Sequence, residues 1–552
     1  MSPGTAGGYA VEFAFREKVW PPMMAFKVTG STILPPTVEE EVLVEARKSK
    51  YTTVRVLAAA KRIVESYYNE KGLSFGTISH FDGMETGQVL AHIIEGQISR
   101  VSLQYVQNDG TVQPRGATNS RIVYRELPKT LAPGNLYSVH DAKQALRDVF
   151  ALSLFDNVQV VPRPDEQDQA KVVVDIVLKE RPLKTAEAEL EWGIAPGEGG
   201  RPDLVSLIPG GSVFMEHRNL DGQARQLSAS VSTSNFLAPA DDLGVKVEYT
   251  RPYVYGEKDP QKTAMKVTAF NSRKLSPTFC GGPLSDEVPA VWVDRSGVKL
   301  AVTETYSRQS KASYGAVLQE VHTRDEQGQA CAAGAKALPN GMLDTDGPPT
   351  GHSGTGTDRT LIGQANVTRD TTYFLNGALV GARDMFTVDQ ALFSGTGFPV
   401  YNRHTASSTR FIQLRDVPRK SAAPPPVLVL HARYGGCIGN LASYDAFTLG
   451  GPHSCRGYSV GELGVARRFL EAAAELRVPV PKLNTHAFAF FEHCTDLGSS
   501  KEVPGNPTAY YRRAGAGSCS GVGLKLGAVR AEWVRDMNQG QSNLFVRFGE
   551  RF

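Results

Sequence analysis

At 552 residues, 41% of them hydrophobic, the chain is long enough for two or more domains, since a single core stops growing near ~250–300 residues. A formal net charge of +3 is too small to argue for nucleic acid as a partner, and no run approaches the ~18 uninterrupted apolar residues of a membrane helix. The mean hydropathy of −0.25 still leaves room for a transmembrane β-barrel, whose strands hide a half-apolar pattern inside an ordinary average.

Residues 11–17 alternate like a strand with no helix before them, so residues 1–22 read as the remnant of an earlier unit. No charged segment followed by an apolar one opens the chain, which fits a trimmed, mature form. From 23 to 96 the order is strand, two helices, two strands. Thr37-Val38-Glu39-Glu40 has the spacing of a capping box. A longer helix is predicted over 53–71, with Val56, Ala60, Ile63 and Tyr67 on its inner face and Gly72 as its stop. Strands are expected at 73–81 and 88–94. The same order returns over 97–182: a strand with Val101, Leu103 and Tyr105, a helix near 119–127, a helix capped by Ser138, then strands at 158–161 and 171–178.

From residue 183 helical periodicity gives way to alternation. Ala186, Ala188, Leu190, Trp192 and Ile194 fall on one face, with Glu187, Glu189 and Glu191 on the other. Comparable runs recur at 226–232, 243–250, 263–270, 297–306, 314–321, 361–367, 383–392, 405–414, 427–434, 469–480, 485–492, 520–526, 529–534 and 543–552. Strands of ~9–11 residues with one apolar face suit a bilayer around a wet lumen, and the remaining length accommodates about 16 of them. The fold expected is α+β repeats followed by a transmembrane antiparallel β-barrel over 183–552. The Gly/Pro/Asp-rich connection 325–358 is expected to be mobile.

The long connection before residue 468 carries Gly450-Gly451-Pro452-His453-Ser454-Cys455-Arg456-Gly457-Tyr458. Its glycines permit positive φ and close approach, its arginine offers a forked donor, and Glu492 in the run 487–492 is an available acceptor. The six cysteines lack C-x-x-C spacing and the histidines, such as His217, His322, His431, His486 and His493, lack metal-ligand spacing, so no metal site is read. No phosphate-binding loop occurs, and Gly351-His352-Ser353-Gly354-Thr355 lacks the setting of a nucleophile elbow, so neither an enzyme nor a cofactor is indicated.

Tandem β-α-α-β-β units, a long run of barrel-like strands and an Arg-Gly-Tyr loop followed by Phe490-Phe491-Glu492 resemble the BamA-like outer-membrane assembly and translocation superfamily, whose repeats are POTRA domains. Within it, Tyr444-Asp445-Ala446-Phe447, Gly461-Glu462-Leu463-Gly464, Asp496-Leu497-Gly498-Ser499-Ser500-Lys501, Gly505-Asn506-Pro507-Thr508, Tyr511-Arg512-Arg513 and the ending Arg547-Phe548-Gly549-Glu550-Arg551-Phe552 resemble the protein-conducting channel of the chloroplast outer-envelope translocon (the TOC complex). Two positions depart from the family pattern, Cys455 before Arg456 and Cys494 after Glu492.

The resemblance implies POTRA domains at 23–96 and 97–182, lying in the intermembrane space, and a barrel in the plastid outer membrane. It implies unfolded preproteins with transit peptides as clients. Receptor GTPases and inner-envelope (TIC) components would be its partners, and membrane lipid its surroundings. Arg456, Gly457 and Tyr458 would fold into the lumen and be pinned through Glu492, worth ~1 kcal/mol if wet and more if desolvated. A seam between the first and last strands, with Ala188, Leu190 and Trp192 facing Val546, Phe548 and Phe552, is the other candidate site. An insertase of the same superfamily is the nearest alternative, and a passive porin, which needs no such repeats, a more distant one.

Overall fold

Thr53 and Ser138 are β-region residues whose hydroxyls accept from Val56 N, and from His140 N and Asp141 N, and each opens an amphipathic helix, Val54–Glu70 and Val139–Ala151. The computed structural model describes residues 2–3, 9–10, 20–107, 109–168, 170–193, 208–233, 236, 242–256, 262–279, 289–337, 343–344, 347–393, 400–416, 424–480, 485–527, 529–548 and 551. The strand expected at 11–17 lies outside them. Two compact units are present, Met1–Arg181 with Asp221–Gln223, and Pro182–Leu220 with Ala224–Phe552.

The first unit repeats one plan. Ala25–Thr29, helices Pro36–Ala46 and Val54–Glu70, and strands Thr77–Asp82 and Gln88–Ile94 make the first copy. Gln97–Val106, helices Ser120–Glu126 and Val139–Ala151, and strands Phe155–Pro164 and Lys171–Glu180 make the second, which adds a two-residue strand, Val112–Gln113. In each copy the first strand runs parallel to the last, and the middle strand pairs antiparallel on the far side of it. Two expectations fail locally. The helix at Pro36 is capped by Pro35 without any side-chain bond, so Thr37 makes no capping box. Leu57, Ala60, Val64 and Tyr68 are the buried stripe of the long helix, one residue round from the expected Val56, Ile63 and Tyr67. The Tyr68 hydroxyl decides this by donating to Glu95 at 2.7 Å, a contact that apolar periodicity cannot register.

The second unit is one antiparallel sheet whose neighbours follow chain order from Lys184–Gly193 to Ser542–Phe548. Of its 17 strands, Tyr373–Leu375 is a three-residue piece beside Ala378–Phe393, which leaves the sixteen expected. Several strands outrun the forecast, Trp292–Ser307 and Ala378–Phe393 reaching 16 residues each. Ile208–Leu220 was not expected at all, because Pro209-Gly210-Gly211 interrupts its alternation. Of the connection 325–358, expected to be mobile, residues 338–342 and 345–346 lie outside the described residues; among the rest Thr350 is fully buried, and Thr323 Oγ1 donates to Cys331 O at 2.7 Å.

This sheet inverts the polarity of a water-soluble protein. Val213, Val245, Leu300, Leu318, Leu392, Leu430, Leu476, Val522 and Trp533 point outward and exposed, while Glu471, Glu475, Arg477, Glu492, Arg530 and Glu532 are buried. An exposed apolar band with charges inside is the pattern of strands facing lipid. Among the described residues no ladder joins the first strand to the last.

Candidate functional site

The connection between Val427–Ile438 and Arg468–Val480 is not a solvated loop. It folds into a short hairpin, Phe447–Leu449 with Gly464–Ala466, around a tip built on two glycines in the left-handed region, Gly450 (φ 99°) and Gly451 (φ 101°). Gly451 N donates to Tyr458 O at 3.0 Å, and Ser454 N donates back to Gly451 O at 3.0 Å. Gly457 has no room for a side chain: a Cβ there would stand 2.8 Å from Cys519 Cβ.

Four wall strands receive the tip, and period-two alternation decides which residues they present. Phe469, Glu471, Ala473, Glu475 and Arg477 face inward from Arg468–Val480, and Phe488, Phe490, Glu492 and Cys494 from Thr485–Thr495. Ala516–Leu526 contributes Gly517, Cys519 and Gly521, and Val529–Asp536 contributes Arg530, Glu532, Val534 and Asp536.

Arg456, 1% exposed, is shared among three of these carboxylates. Its Nε donates to Glu492 Oε1 at 2.8 Å, Nη1 to Glu532 Oε1 at 3.0 Å and Nη2 to Glu475 Oε2 at 3.0 Å. The backbone N of Arg456 takes the other Glu492 oxygen at 2.9 Å, and the guanidinium carbon lies 3.5 Å from the centre of the Phe490 ring. Arg477 donates to Glu475, Arg530 donates to both Glu475 and Glu532, and Arg551 lies 3.1 Å from Glu492. The excess of carboxylates around one arginine is thereby offset by three more arginines. Tyr458 donates its hydroxyl to Asp536, and Ser454 donates to Glu471. Cys455 Sγ rests 3.4 Å from Cys519 Sγ.

The base of the same connection is held elsewhere. Arg295 of Trp292–Ser307 donates to Asp445 at 2.6 Å, and Arg403 of Asn402–Gln413 lies over the Phe447 ring at 4.5 Å. Arg295 and Glu492 stand seven strands apart in the sheet order, about 34 Å along a flat sheet at ~4.8 Å per strand. One segment reaches both inner faces because the sheet curls around it. The arrangement is a buried plug clasped by the wall, in which the Cys519 thiol also lies 3.5 Å from Glu492 Oε2.

Arg456 and Glu492 meet, and Gly457 and Tyr458 follow Arg456 in the same tip, Tyr458 bonding Asp536. The wet lumen does not hold at this spot, because the pair is fully buried. Glu475, Glu532, Arg477 and Arg530 were missed. The available signal was charge at alternate positions, Glu471-x-x-x-Glu475-x-Arg477 and Arg530-x-Glu532, on strands whose other face is apolar. The seam residues are not joined: Ala188 pairs with Val213 and Val546 with Ala531, Leu190, Trp192 and Phe548 likewise pair only with inner neighbours, and Phe552 lies outside the described residues.

Comparison with known proteins follows the geometry. Residues 219–529 match the Omp85 superfamily domain, and residues 110–180 match the Toc75-like POTRA domain. The chain is 51% identical over 521 residues to "Protein TOC75, chloroplastic" of Pisum sativum, which covers 94% of this chain and 64% of the pea protein. It is 46% identical over 413 residues to "Protein TOC75-4, chloroplastic" of Arabidopsis thaliana, covering 74% of this chain and 99% of that one. It is 26% identical over 507 residues to "Outer envelope protein 80, chloroplastic" of Arabidopsis thaliana, covering 90% and 63%. Among solved structures, BamA from Haemophilus ducreyi lacking POTRA domains 1–3 superposes with a TM-score of 0.59 at 12% identity, over 96% of this chain and 98% of that one.

Proposed function

The chain belongs to the Toc75 family of the Omp85 superfamily, and from that membership we propose that it is a protein-conducting channel of the chloroplast outer envelope. It receives unfolded preproteins bearing transit peptides and conducts them across the membrane. The repeats at 23–96 and 97–182 act as POTRA domains in the intermembrane space, where an extended client adds to a sheet edge through main-chain hydrogen bonds. Receptor GTPases and inner-envelope translocon components complete its partners. No catalytic step and no cofactor enter this reading.

The observation that carries the proposal is the Arg456 tip, clasped inside the barrel by Glu475, Glu492 and Glu532. A plug held by ion pairs rather than by continuous strand pairing can shift as a unit when a client enters, whereas a passive porin needs neither it nor the repeats. A second reading, insertion of other barrels into the membrane, is favoured by the unjoined first and last strands, through which a client strand could pair.

Single-channel conductance of the reconstituted chain, with and without a transit-peptide-bearing client, tests the proposal. Client-dependent block of the current is expected. A steady pore indifferent to the client would overturn it.

A further inference from the structure

In the first repeat, His80 and His92 stand directly opposite one another across the antiparallel pair Thr77–Asp82 and Gln88–Ile94, and Asp82 follows two residues on, on the same face. The two rings stack with centroids 4.1 Å apart and planes 9° from parallel. The Nε2 atoms converge on one carboxylate oxygen, Asp82 Oδ2, which lies 3.0 Å from His92 and 3.8 Å from His80.

The far nitrogen of each ring is already engaged. His80 Nδ1 lies 2.9 Å from Ser79 Oγ, and His92 Nδ1 lies 3.1 Å from Thr29 Oγ1. Both hydroxyls give their own protons to backbone carbonyls, Ser79 to His92 O at 2.9 Å and Thr29 to Ala91 O at 3.5 Å. Each hydroxyl can then accept from an Nδ1–H, the tautomer that turns the Nε2 lone pairs toward Asp82; without an ion between them, the 3.0 Å contact of His92 Nε2 with Asp82 Oδ2 is a hydrogen bond. The β-bulge between Ile78 and His80 inserts Ser79 and so places its hydroxyl beside His80. The two Nε2 atoms and a carboxylate oxygen of Asp82 lie within 4.8 Å of one another. In the Nδ1–H tautomer a cation between them replaces the hydrogen bond.

We propose that His80, Asp82 and His92 form a binding site for a divalent transition cation of the zinc type. Bonds of ~2.0–2.2 Å from zinc to nitrogen and oxygen put neighbouring tetrahedral ligands about 3.3 Å apart, a value the two observed separations bracket. Hydroxyls beside both Nδ1 atoms supply the outer contacts that favour this tautomer in such sites, and the stacked rings, whose in-plane lone pairs run parallel, turn toward the ion on binding. Two imidazoles select zinc, copper or nickel over magnesium and calcium, whose preferred ligands are oxygens. Three protein ligands leave a fourth position to solvent. Thr77–Asp82 is an edge strand of its three-stranded sheet, so a bound cation staples that edge to the central strand.

The test is a calorimetric titration of the full chain in detergent with zinc chloride, and separately with magnesium chloride. One zinc equivalent is expected to disappear in the double variant His80→Gln/His92→Gln, or to weaken more than about tenfold there, with magnesium silent throughout. Both residues are on the surface, so the metal-free variant should keep the circular dichroism spectrum and thermal midpoint of the parent. Zinc should also slow amide exchange over residues 77–82 in the parent and not in the variant. Identical zinc titrations for parent and variant, or no zinc uptake by the parent, would overturn the site and leave a plain ion pair.

Discussion

Arg456 meets three carboxylates through three different nitrogens, and none of the four side chains is more than 2% exposed. Burying charge is costly, so the set persists only because each member is paired, and removing the cation leaves Glu475, Glu492 and Glu532 short of a partner. Arg456→Ala is therefore expected to cost about 3–5 kcal/mol of barrel stability, read as urea unfolding of the refolded chain. Arg456→Lys should fall between the two, because an ammonium keeps the charge but loses the planar fork. An alanine variant as stable as the parent would dissolve the clasp. A second carboxylate does comparable work in the first repeat. Glu95 accepts from Ser31 Oγ (2.7 Å), Thr32 N (2.9 Å), Thr32 Oγ1 (2.6 Å) and Tyr68 OH (2.7 Å). Burial alone would raise its pKa, but the hydrogen bonds from Thr32, Ser31 and Tyr68 outweigh that and hold it below the ordinary 4.5. A depressed carboxylate stabilises the fold above its unfolded value and loses that contribution as pH falls through its folded value. Glu95→Gln should thus cost about 1–3 kcal/mol at pH 7, and the gap from the parent should narrow only below about pH 4.5. A gap independent of pH down to strong acid would contradict the depressed value.

Among the elements, the two repeats share this device. Glu180 closes the last strand of the second repeat as Glu95 follows that of the first, accepting from Ala117 N at 2.9 Å and Thr118 N at 2.7 Å. The strand Ala516–Leu526 shows a different economy of space. A Cβ on Gly521 would stand 2.5 Å from Phe490 Cζ and 2.4 Å from Trp533 O, and one on Gly523 would stand 2.4 Å from Phe488 Cζ. The missing side chains are the seats of the rings that underlie Arg456 and Arg530. Gly521→Val should therefore prevent the compact, heat-modifiable form from appearing on gels after refolding. Gly363→Ala, whose new Cβ would meet nothing nearer than 3.5 Å, should leave it intact. Equal refolding of both variants would show that the wall has slack at Gly521.

For the whole molecule, the inverted polarity is the governing fact: a barrel in lipid keeps its apolar face outward, and the Arg456 ion pairs are buried where wall and plug exclude water. Among the described residues the ladder leaves Lys184–Gly193 and Ser542–Phe548 unpaired with each other. A disulfide engineered through Ala188→Cys and Val546→Cys should abolish client passage when oxidised and restore it on reduction, if the seam must open. Import undiminished by a completed crosslink would remove that requirement while leaving the channel reading untouched.

How far the chain was legible depended on the range of the interaction. All but one of the long strands, Ile208–Leu220 being the exception, and the repeated β-α-α-β-β order follow from alternation and helical periodicity, which are local signals. The buried stripe of Val54–Glu70 was misplaced by one residue because a hydroxyl–carboxylate contact between Tyr68 and Glu95 outranks apolar period. Glu475 and Glu532 joined the site, and His80 met His92, only through strand register, which pairs residues far apart in the chain. The amino-acid order by itself determined which segments are strands and helices and which face of each is greasy, since those are properties of neighbours a few residues apart. Only the tertiary structure decided which inward charges share one guanidinium, that the tip is dry, and where the ladder stops, because desolvation and pairing depend on what the folded wall brings alongside.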